Sequence, residues 1–341
     1  MSWTFVAPPA LAAVRPRGRP TFSVAIAAYQ AADTIRETVE SALTQTLAPL
    51  EVVVCDDGST DALEDALGPT RDRIVFLRQP NQGPAAAKNA AARAVSAEFV
   101  AFLDADDLYY PERLEALAEL AAERPDLDVL TTNADLEIDG RLDGRYYPDV
   151  AEFPALDQAL GVIADDSAIF GAAAVRRSTF ESAGGLNERL RTGDDWELWI
   201  RLTLAGSAIG LVEEPLYRYR VHERGTSSDQ LLGARDAVRI FEGLLGRSEP
   251  GSRERAALEG ALAWHRRNAA LTEAEHALRS RARGRRQRSL AVALGPGFPA
   301  RTRLKAALAA VFPALSAGVL ERREGRTGRS RLRKPMPPPR R

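Results

Sequence analysis

Four short apolar runs, each followed by residues at helical spacing, constrain this chain more than any other feature. Residues 21–28 (TFSVAIAA), 50–55 (LEVVVC), 73–78 (RIVFLR) and 98–103 (EFVAFL) are continuous and rich in β-formers, which marks buried strands. Between and after them the spacing predicts helices over 32–45, 61–67, 83–95 and 111–123. The first has Ile35, Val39, Ala42 and Leu43 on one side with Asp33 as N-cap, and the last has Pro111 in its first turn. Unbroken apolar strands alternating with helices predict an α/β fold, a mostly parallel sheet sandwiched by helices. In such sheets ligands bind beyond the carboxyl ends of the strands. The polar clusters fall there: Tyr29, Asp56-Asp57, and residues 104–107.

The second half is less regular. Residues 128–132 and 135–138 read as two strands with a turn at Asp139-Gly140, 167–175 and 216–221 as further strands, and 194–205 as a helix. Residues 230–279 are helical with a break at 248–251. A length of 341 residues, 45% hydrophobic and 27% charged, excludes a wholly disordered chain and suggests about two domains. The single cysteine, Cys55, excludes a disulfide framework and a cysteine-built zinc site.

The net charge of −1 hides an asymmetry. From Arg279 onward there are 18 Lys+Arg and 2 Asp+Glu, a net of +16, while the rest carries −17. A cationic tail of this kind suits a polyanion: an anionic membrane surface, nucleic acid, or the chain's own acidic body. A solvated tail is the plain alternative. The longest apolar run, residues 306–320, is interrupted by Pro313 and falls short of the ~20 residues of a spanning helix. A helix over 301–320 would lie on a membrane or dock on the body. Residues 1–20 carry four prolines and no early basic region, which reads as a loose leader rather than a signal peptide. The expected organisation is a leader over 1–20, an α/β domain over 21–225, a helical extension over 226–280 and a basic tail over 281–341. The expected location is cytoplasmic, with peripheral attachment at the inner face of the cell membrane as its extension.

Five motifs carry chemistry. In FLDADD, Asp104 and Asp106 stand two apart just past a strand, where carboxylates can share a hard divalent cation that neutralises a diphosphate. Loop solvation and helix capping are the structural alternative. In CDDGSTD, Gly58 permits a tight turn and Ser59 or Thr60 can cap the next helix, as in any strand–turn–helix connection. Asn81-Gln82-Gly83 leads to Ala87-Lys88-Asn89, a helix N-terminus with a cation on its second turn, suited to an anion or simply to solvent. Asp194 and Asp195 open a helix bearing Trp196 and Trp199. They complement the helix dipole, and a carboxylate beside aromatic walls can also serve as a general base. Tyr217-Arg218-Tyr219-Arg220-Val221-His222 ends in a histidine that is as readily structural as a ligand.

In this order and spacing, the five motifs resemble the family 2 glycosyltransferases, a large inverting family with the GT-A fold, over residues 21–225. The resemblance implies a Rossmann-like nucleotide-diphospho-sugar transferase fold with a C-terminal helical extension. It places Ala28 and Tyr29 near the nucleobase and one of Asp56 and Asp57 on the base. Lys88, where the family usually has Arg, and Ala105 fall beside the nucleotide. Asp104 and Asp106 match the D-x-D that meets the ribose and binds Mn²⁺ or Mg²⁺, and His222 matches a position that helps hold the metal or diphosphate. Asp195 matches the catalytic base, with Asp194 replacing the usual Glu, so the choice between them stays open. Trp196 would wall the acceptor site.

The implied reaction moves a sugar from a UDP- or dTDP-sugar to a hydroxyl of a glycan or lipid-linked acceptor, in cell-envelope polysaccharide or glycolipid synthesis. No nucleic acid partner is expected. Two other readings fit parts of the sequence. One is a phosphatase using its first D-x-D aspartate as nucleophile; the other is an inactive glycosyltransferase-like scaffold that binds nucleotide-sugar.

Overall fold

The computed structural model describes residues 18–148, 153, 158–165, 168–221, 229–313 and 316. The chain divides into two compact units, Met1–Val162 with Asp166–Gly225, and Ile163–Asp165 with Thr226–Arg341.

The first unit is built on one mixed sheet. Its strands are β1 (Phe22–Ala28), β2 (Val52–Asp56), β3 (Val75–Arg78), β4 (Phe99–Asp104), β5 (Leu108–Tyr109), β6 (Leu127–Ile138), β7 (Arg141–Arg145), β8 (Ala174–Arg176) and β9 (Ala208–Val221). They are ordered β3-β2-β1-β4-β8-β6-β9-β5, with β7 paired to β6 as a hairpin. The half made of β3, β2, β1 and β4 is wholly parallel, as the continuous apolar runs require. Register then fixes the working edge. Ala28 pairs with Asp56 and Ala27 with Asp104, so the polar ends of three strands emerge together.

The helices are α1 (Ile35–Leu43), α2 (Leu63–Leu67), α3 (Pro84–Arg93), α4 (Arg113–Glu123), α5 (Gln158–Ala164), α6 (Arg177–Ser182) and α7 (Asp194–Leu204). Alanines 85, 86, 87, 91 and 92 of α3 are buried, and their small side chains let the helix lie close on β1 and β2. Phe22 stacks on Phe99 at 5.1 Å between ring centres across β1 and β4.

Several elements differ from the sequence expectation. The strands expected at 128–132 and 135–138 form one strand, β6, whose register against β9 shifts at Asn133. The Asn133 side chain replaces the interrupted ladder: its Oδ1 accepts from Ala134 N and Tyr147 N, and its Nδ2 donates to Tyr147 O. The strand expected over 167–175 shrinks to β8, because the Tyr147 hydroxyl takes over backbone groups there, donating to Ala168 O and accepting from Phe170 N. Helix α1 is preceded by Thr34 rather than capped by Asp33, and α4 begins at Arg113 rather than Pro111.

The second unit contains α8 (Gln230–Leu245), α9 (Arg253–Arg279), α10 (Arg285–Leu294) and α11 (Ala300–Val311). The break between α8 and α9 falls where expected, and the Ser252 hydroxyl caps α9 by accepting from Arg255 N. Phe241 of α8 stacks on His265 of α9 at 5.0 Å, and burial lowers the histidine pKa to about 4. Ala274 of α9, Val292 and Ala293 of α10 and Ala306 of α11 close a small core. Helix α11 stops at Val311; Phe312, which precedes Pro313, has left the helical region. Among the described residues no helix is long and apolar enough to cross a membrane.

Candidate active site

At the carboxyl edge of the sheet, α1 holds the turn that follows β4. The Thr34 hydroxyl donates to Ala105 O at 2.8 Å, and the Thr38 hydroxyl lies 3.0 Å from Ala105 O and 2.9 Å from Asp107 O. The backbone of residues 105–107 is therefore fixed from one side while the Asp104 side chain stays partly open to solvent. From the other side β9 grips Asp107, which accepts from Tyr217 Oη and Arg220 N, both at 2.7 Å. Burial first, then the charges of Asp106 and Asp104, pushes the Asp107 carboxyl well above the usual range, against the pull of those two hydrogen bonds. Beneath them the fully buried Arg113 guanidinium lies over the rings of Tyr109 and Tyr217, 4.7 and 4.9 Å from their centres, and donates to Ala172 O.

The β2 end divides its two acids. Asp57 is engaged by Gln79 Nε2 at 2.7 Å, Gln82 N at 2.9 Å and Gly83 N at 2.8 Å, so it organises the loop that starts α3. Asp56 Oδ1 accepts from Ser59 N, while its buried Oδ2 has no hydrogen-bond partner and lies 3.4 Å from Arg78 Nη1. Gly58 must be glycine. Its φ is +79°, and a Cβ there would meet Asn81 N at 2.9 Å. Tyr29, next to Ala28, is 54% exposed at this end of the edge.

Lys88 joins the two acid clusters. Its Nζ lies 3.3 Å from Asp104 Oδ1 and 3.8 Å from Asp194 Oδ2. Burial opposes its charge, but Asp104, then Asp194 and Asp195, outweigh it and raise its pKa, so Lys88 is held as a cation. Asp195 accepts from Trp196 N at 2.8 Å through Oδ1. Its Oδ2 lies directly over Gly171, where a Cβ would stand 2.0 Å away. Burial, then the neighbouring Asp194 charge, raises the Asp195 pKa to about 6, against the downward pull of Lys88 and the Trp196 N–H. A carboxyl in that range is ionised at neutral pH yet basic enough to take a proton.

Further residues hold these groups in place. Asn89 of α3 clamps the loop before α7: Oδ1 accepts from Leu186 N, and Nδ2 donates to Leu186 O and Glu188 Oε1. In α7 the buried Glu197 pairs with Arg201, which also donates to Ala183 O and Gly185 O. Trp196 is only 6% exposed, and its indole N–H donates to Val162 O, so most of the ring packs inside the unit. Trp199 is buried as well. Phe170, beside Gly171, packs edge-on to Tyr217 and Tyr219. His222 lies outside the described residues.

The structure thus brings together Asp104, Lys88, Asp194 and Asp195, with Asp106 on the same turn. It places Ala28, Tyr29, Asp56 and Asp57 on the neighbouring stretch of the same edge. Residues 23–181 match the model of glycosyl transferase family 2. The chain is a glycosyltransferase, similar over that stretch to family 2. An uncharacterised glycosyltransferase of Rickettsia typhi is 27% identical over 238 residues, covering 66% of this chain and 72% of the relative. A chondroitin synthase of Pasteurella multocida is 31% identical over 193 residues, of which this chain spans 19% of the length. Among solved structures, residues 1–349 of TarS from S. aureus in complex with UDP-GlcNAc superpose with a TM-score of 0.59 at 19% identity, covering 91% of this chain and 93% of that one. A mannosyltransferase of Pyrobaculum calidifontis in complex with GDP-Man and Mn²⁺ gives 0.56 at 21% identity, covering 91% and 89%. These neighbours assign the glycosyltransferase the GT-A-like α/β fold.

Proposed function

We propose that this domain transfers a sugar, with inversion, from a nucleotide-diphospho-sugar to an acceptor hydroxyl. The observation that carries the reading is the convergence of Asp104, Asp194 and Asp195 on the Lys88 cation at the carboxyl edge of the sheet. Leaving-group binding and proton removal must occur within one sugar ring of each other, and these acids supply both.

The donor's nucleobase would lie against Tyr29 and the Asp56–Asp57 turn, with the ribose and diphosphate over Asp104, Ala105 and Lys88. UDP- and dTDP-sugars are the donor class we favour; the TarS neighbour was solved with UDP-GlcNAc. The donor set fits Mn²⁺ or Mg²⁺. Asp104 and Asp106 offer hard carboxylate oxygens on a turn held by Thr34 and Thr38, and such ions are commonly completed by substrate phosphates rather than an all-protein cage. Among the described residues no cluster of three or more His, Cys, Asp or Glu forms such a cage. When bound, the cation neutralises charge on the departing nucleoside diphosphate.

The remaining chemistry belongs to the side chains. Asp195 Oδ2 takes the acceptor hydroxyl's proton as that oxygen forms its bond to the anomeric carbon, and the bond to the β-phosphate oxygen breaks on the opposite face. Lys88 favours the ionised form of Asp195 and adds positive charge where the diphosphate leaves. Asp194 shares the Lys88 charge and is the second candidate for the base. A glycan or lipid-linked hydroxyl is the acceptor class, in cell-envelope polysaccharide or glycolipid synthesis.

A thermal-shift panel of nucleoside diphosphates and nucleotide-sugars, with and without Mn²⁺, tests the reading. One nucleotide class should raise the midpoint in a metal-dependent manner, and Asp106→Ala should abolish the metal dependence. Stabilisation by no nucleotide, with or without metal, would overturn it.

A further inference from the structure

The last two described helices leave their largest apolar side chains in water. On α11, Leu304, Leu308 and Val311 are 63%, 51% and 61% exposed, and Phe312 follows them, also exposed. At 3.6 residues per turn, Leu304, Leu308 and Val311 span an arc of about 60°, a continuous stripe rather than scattered residues. The opposite side of the helix, Ala306 and Ala309, is the buried one. On α10, Arg286, Leu290 and Leu294 run at i, i+4 and i+8; all three are exposed, Leu294 at 70%. A stripe of this kind is more than the singly exposed leucines of an ordinary surface.

Charge frames it. Residues 281–313 contain eight Lys or Arg (281, 283, 285, 286, 288, 301, 303 and 305) and no Asp or Glu. Lys305 and Arg303 stand about 100° to either side of Leu304 on the helix. The Arg303 guanidinium is held by Ala293 O at 2.8 Å, which braces α11 against α10. Residues 314–341 add nine more basic residues and two acidic ones.

We propose that α10 and α11 form a docking surface for an anionic lipid bilayer, with the leucine stripe entering the acyl boundary and the flanking arginines and lysine meeting lipid phosphates. An apolar stripe bordered by cations on both sides matches a helix lying in the interface plane. A second copy of the chain fits poorly, because a two-fold contact would set this uniformly cationic segment against itself. A nucleic acid would meet the cations but leave the leucines in water. The inference rests on the second unit alone and holds whichever donor or acceptor the glycosyltransferase uses.

Sedimentation with vesicles tests it on the full chain. Wild type should bind vesicles in which about a third of the lipid is phosphatidylglycerol at least ~10-fold more tightly than pure phosphatidylcholine vesicles. Leu304→Ser/Leu308→Ser should lose about 10-fold or more of that binding, and Arg301→Gln/Lys305→Gln should lose its preference for anionic lipid. Both leucines are exposed, so folding should be preserved, checked by an unchanged melting midpoint. A second readout needs no loss of function. Cys55 is the only cysteine and is buried, so Leu308→Cys can be labelled selectively with an environment-sensitive fluorophore, which should shift blue on anionic vesicles. Wild type that stays in the supernatant with both vesicle types overturns the proposal, and a dimer that the leucine variant dissociates would then assign the stripe to a second copy. Binding unchanged in the leucine variant, or a label that stays water-exposed on bound protein, overturns it equally.

Discussion

Gly171→Ala should separate activity from stability in this protein. A Cβ at position 171 would stand 2.0 Å from Asp195 Oδ2, and its next two neighbours, at 3.2 and 3.8 Å, are also Asp195 atoms. Ordinary contact begins at 3.4 Å, so the carboxylate oxygen must retreat by about 1.4 Å and Cγ by about 0.2 Å, a swing confined to the Asp195 side chain. Displacing a reacting group by about 1 Å costs on the order of 10²-fold, so kcat should fall by ~10²-fold with the KM for the donor within about threefold. Gly171 is not in the left-handed region, so alanine adds no backbone strain and removes unfolded-state freedom. Stability should change by no more than about 1 kcal/mol, the reduced unfolded-state freedom offsetting the cost of moving the carboxyl. The assay is nucleoside diphosphate release at saturating donor, beside urea unfolding of the same samples. Adding Gly171→Ala to Asp195→Asn should cost little beyond Asp195→Asn alone, since both act through one carboxylate. Wild-type kcat in the folded single variant would refute the placement of the base.

The Asp195 pKa of about 6 sets the sign of the pH response. If Asp195 is the base it works ionised, so kcat should fall about tenfold per pH unit below that value and level off above it, read from a pH–rate profile. Lys88 lowers that pKa, so Lys88→Met should move the acid limb to higher pH while Lys88→Arg leaves it near its original place, measured in the same profile. Arg201→Met would strand the buried Glu197 and leave Ala183 O and Gly185 O without their donor, a loss of about 3–5 kcal/mol in urea unfolding. Glu197→Gln/Arg201→Met should recover part of it, because no buried charge then remains unpaired.

The sequence made the first half of the sheet legible because its strands are buried on both faces and therefore read as unbroken apolar runs. The second half was harder for a physical reason. Strand β6 changes register at Asn133, and its continuity depends on the hydrogen bonds of one side chain, which no periodicity records. The acids of the site were visible as motifs, but their division of labour was not. Which of Asp56 and Asp57 is engaged depends on Gln79, Gln82 and Gly83, more than twenty residues away along the chain. Gly171 and Arg113 gave no signal at all, since one acts by lacking a side chain and the other is a buried cation supported by aromatic rings and a carbonyl.

That division of labour follows from the cost of crowding carboxylates at a partly buried edge. Like charges in contact repel, and each desolvated oxygen without a donor adds to the penalty. The fold answers by giving one acid of each early cluster to the scaffold. Asp57 takes three donors and so ties the loop before α3 to β2; Asp107 takes two and ties the turn after β4 to β9. The third cluster is handled differently. Asp194 and Asp195 share the Lys88 cation, and Asp195 also takes the N–H of Trp196, while Asp194 Oδ2 remains buried without a hydrogen bond. Compensation there is more electrostatic than hydrogen-bonded, which leaves carboxylate oxygen able to accept a proton. A fully hydrogen-bonded carboxylate, held well below its usual pKa, would be as well tolerated by the fold and far too weak a base for a sugar hydroxyl.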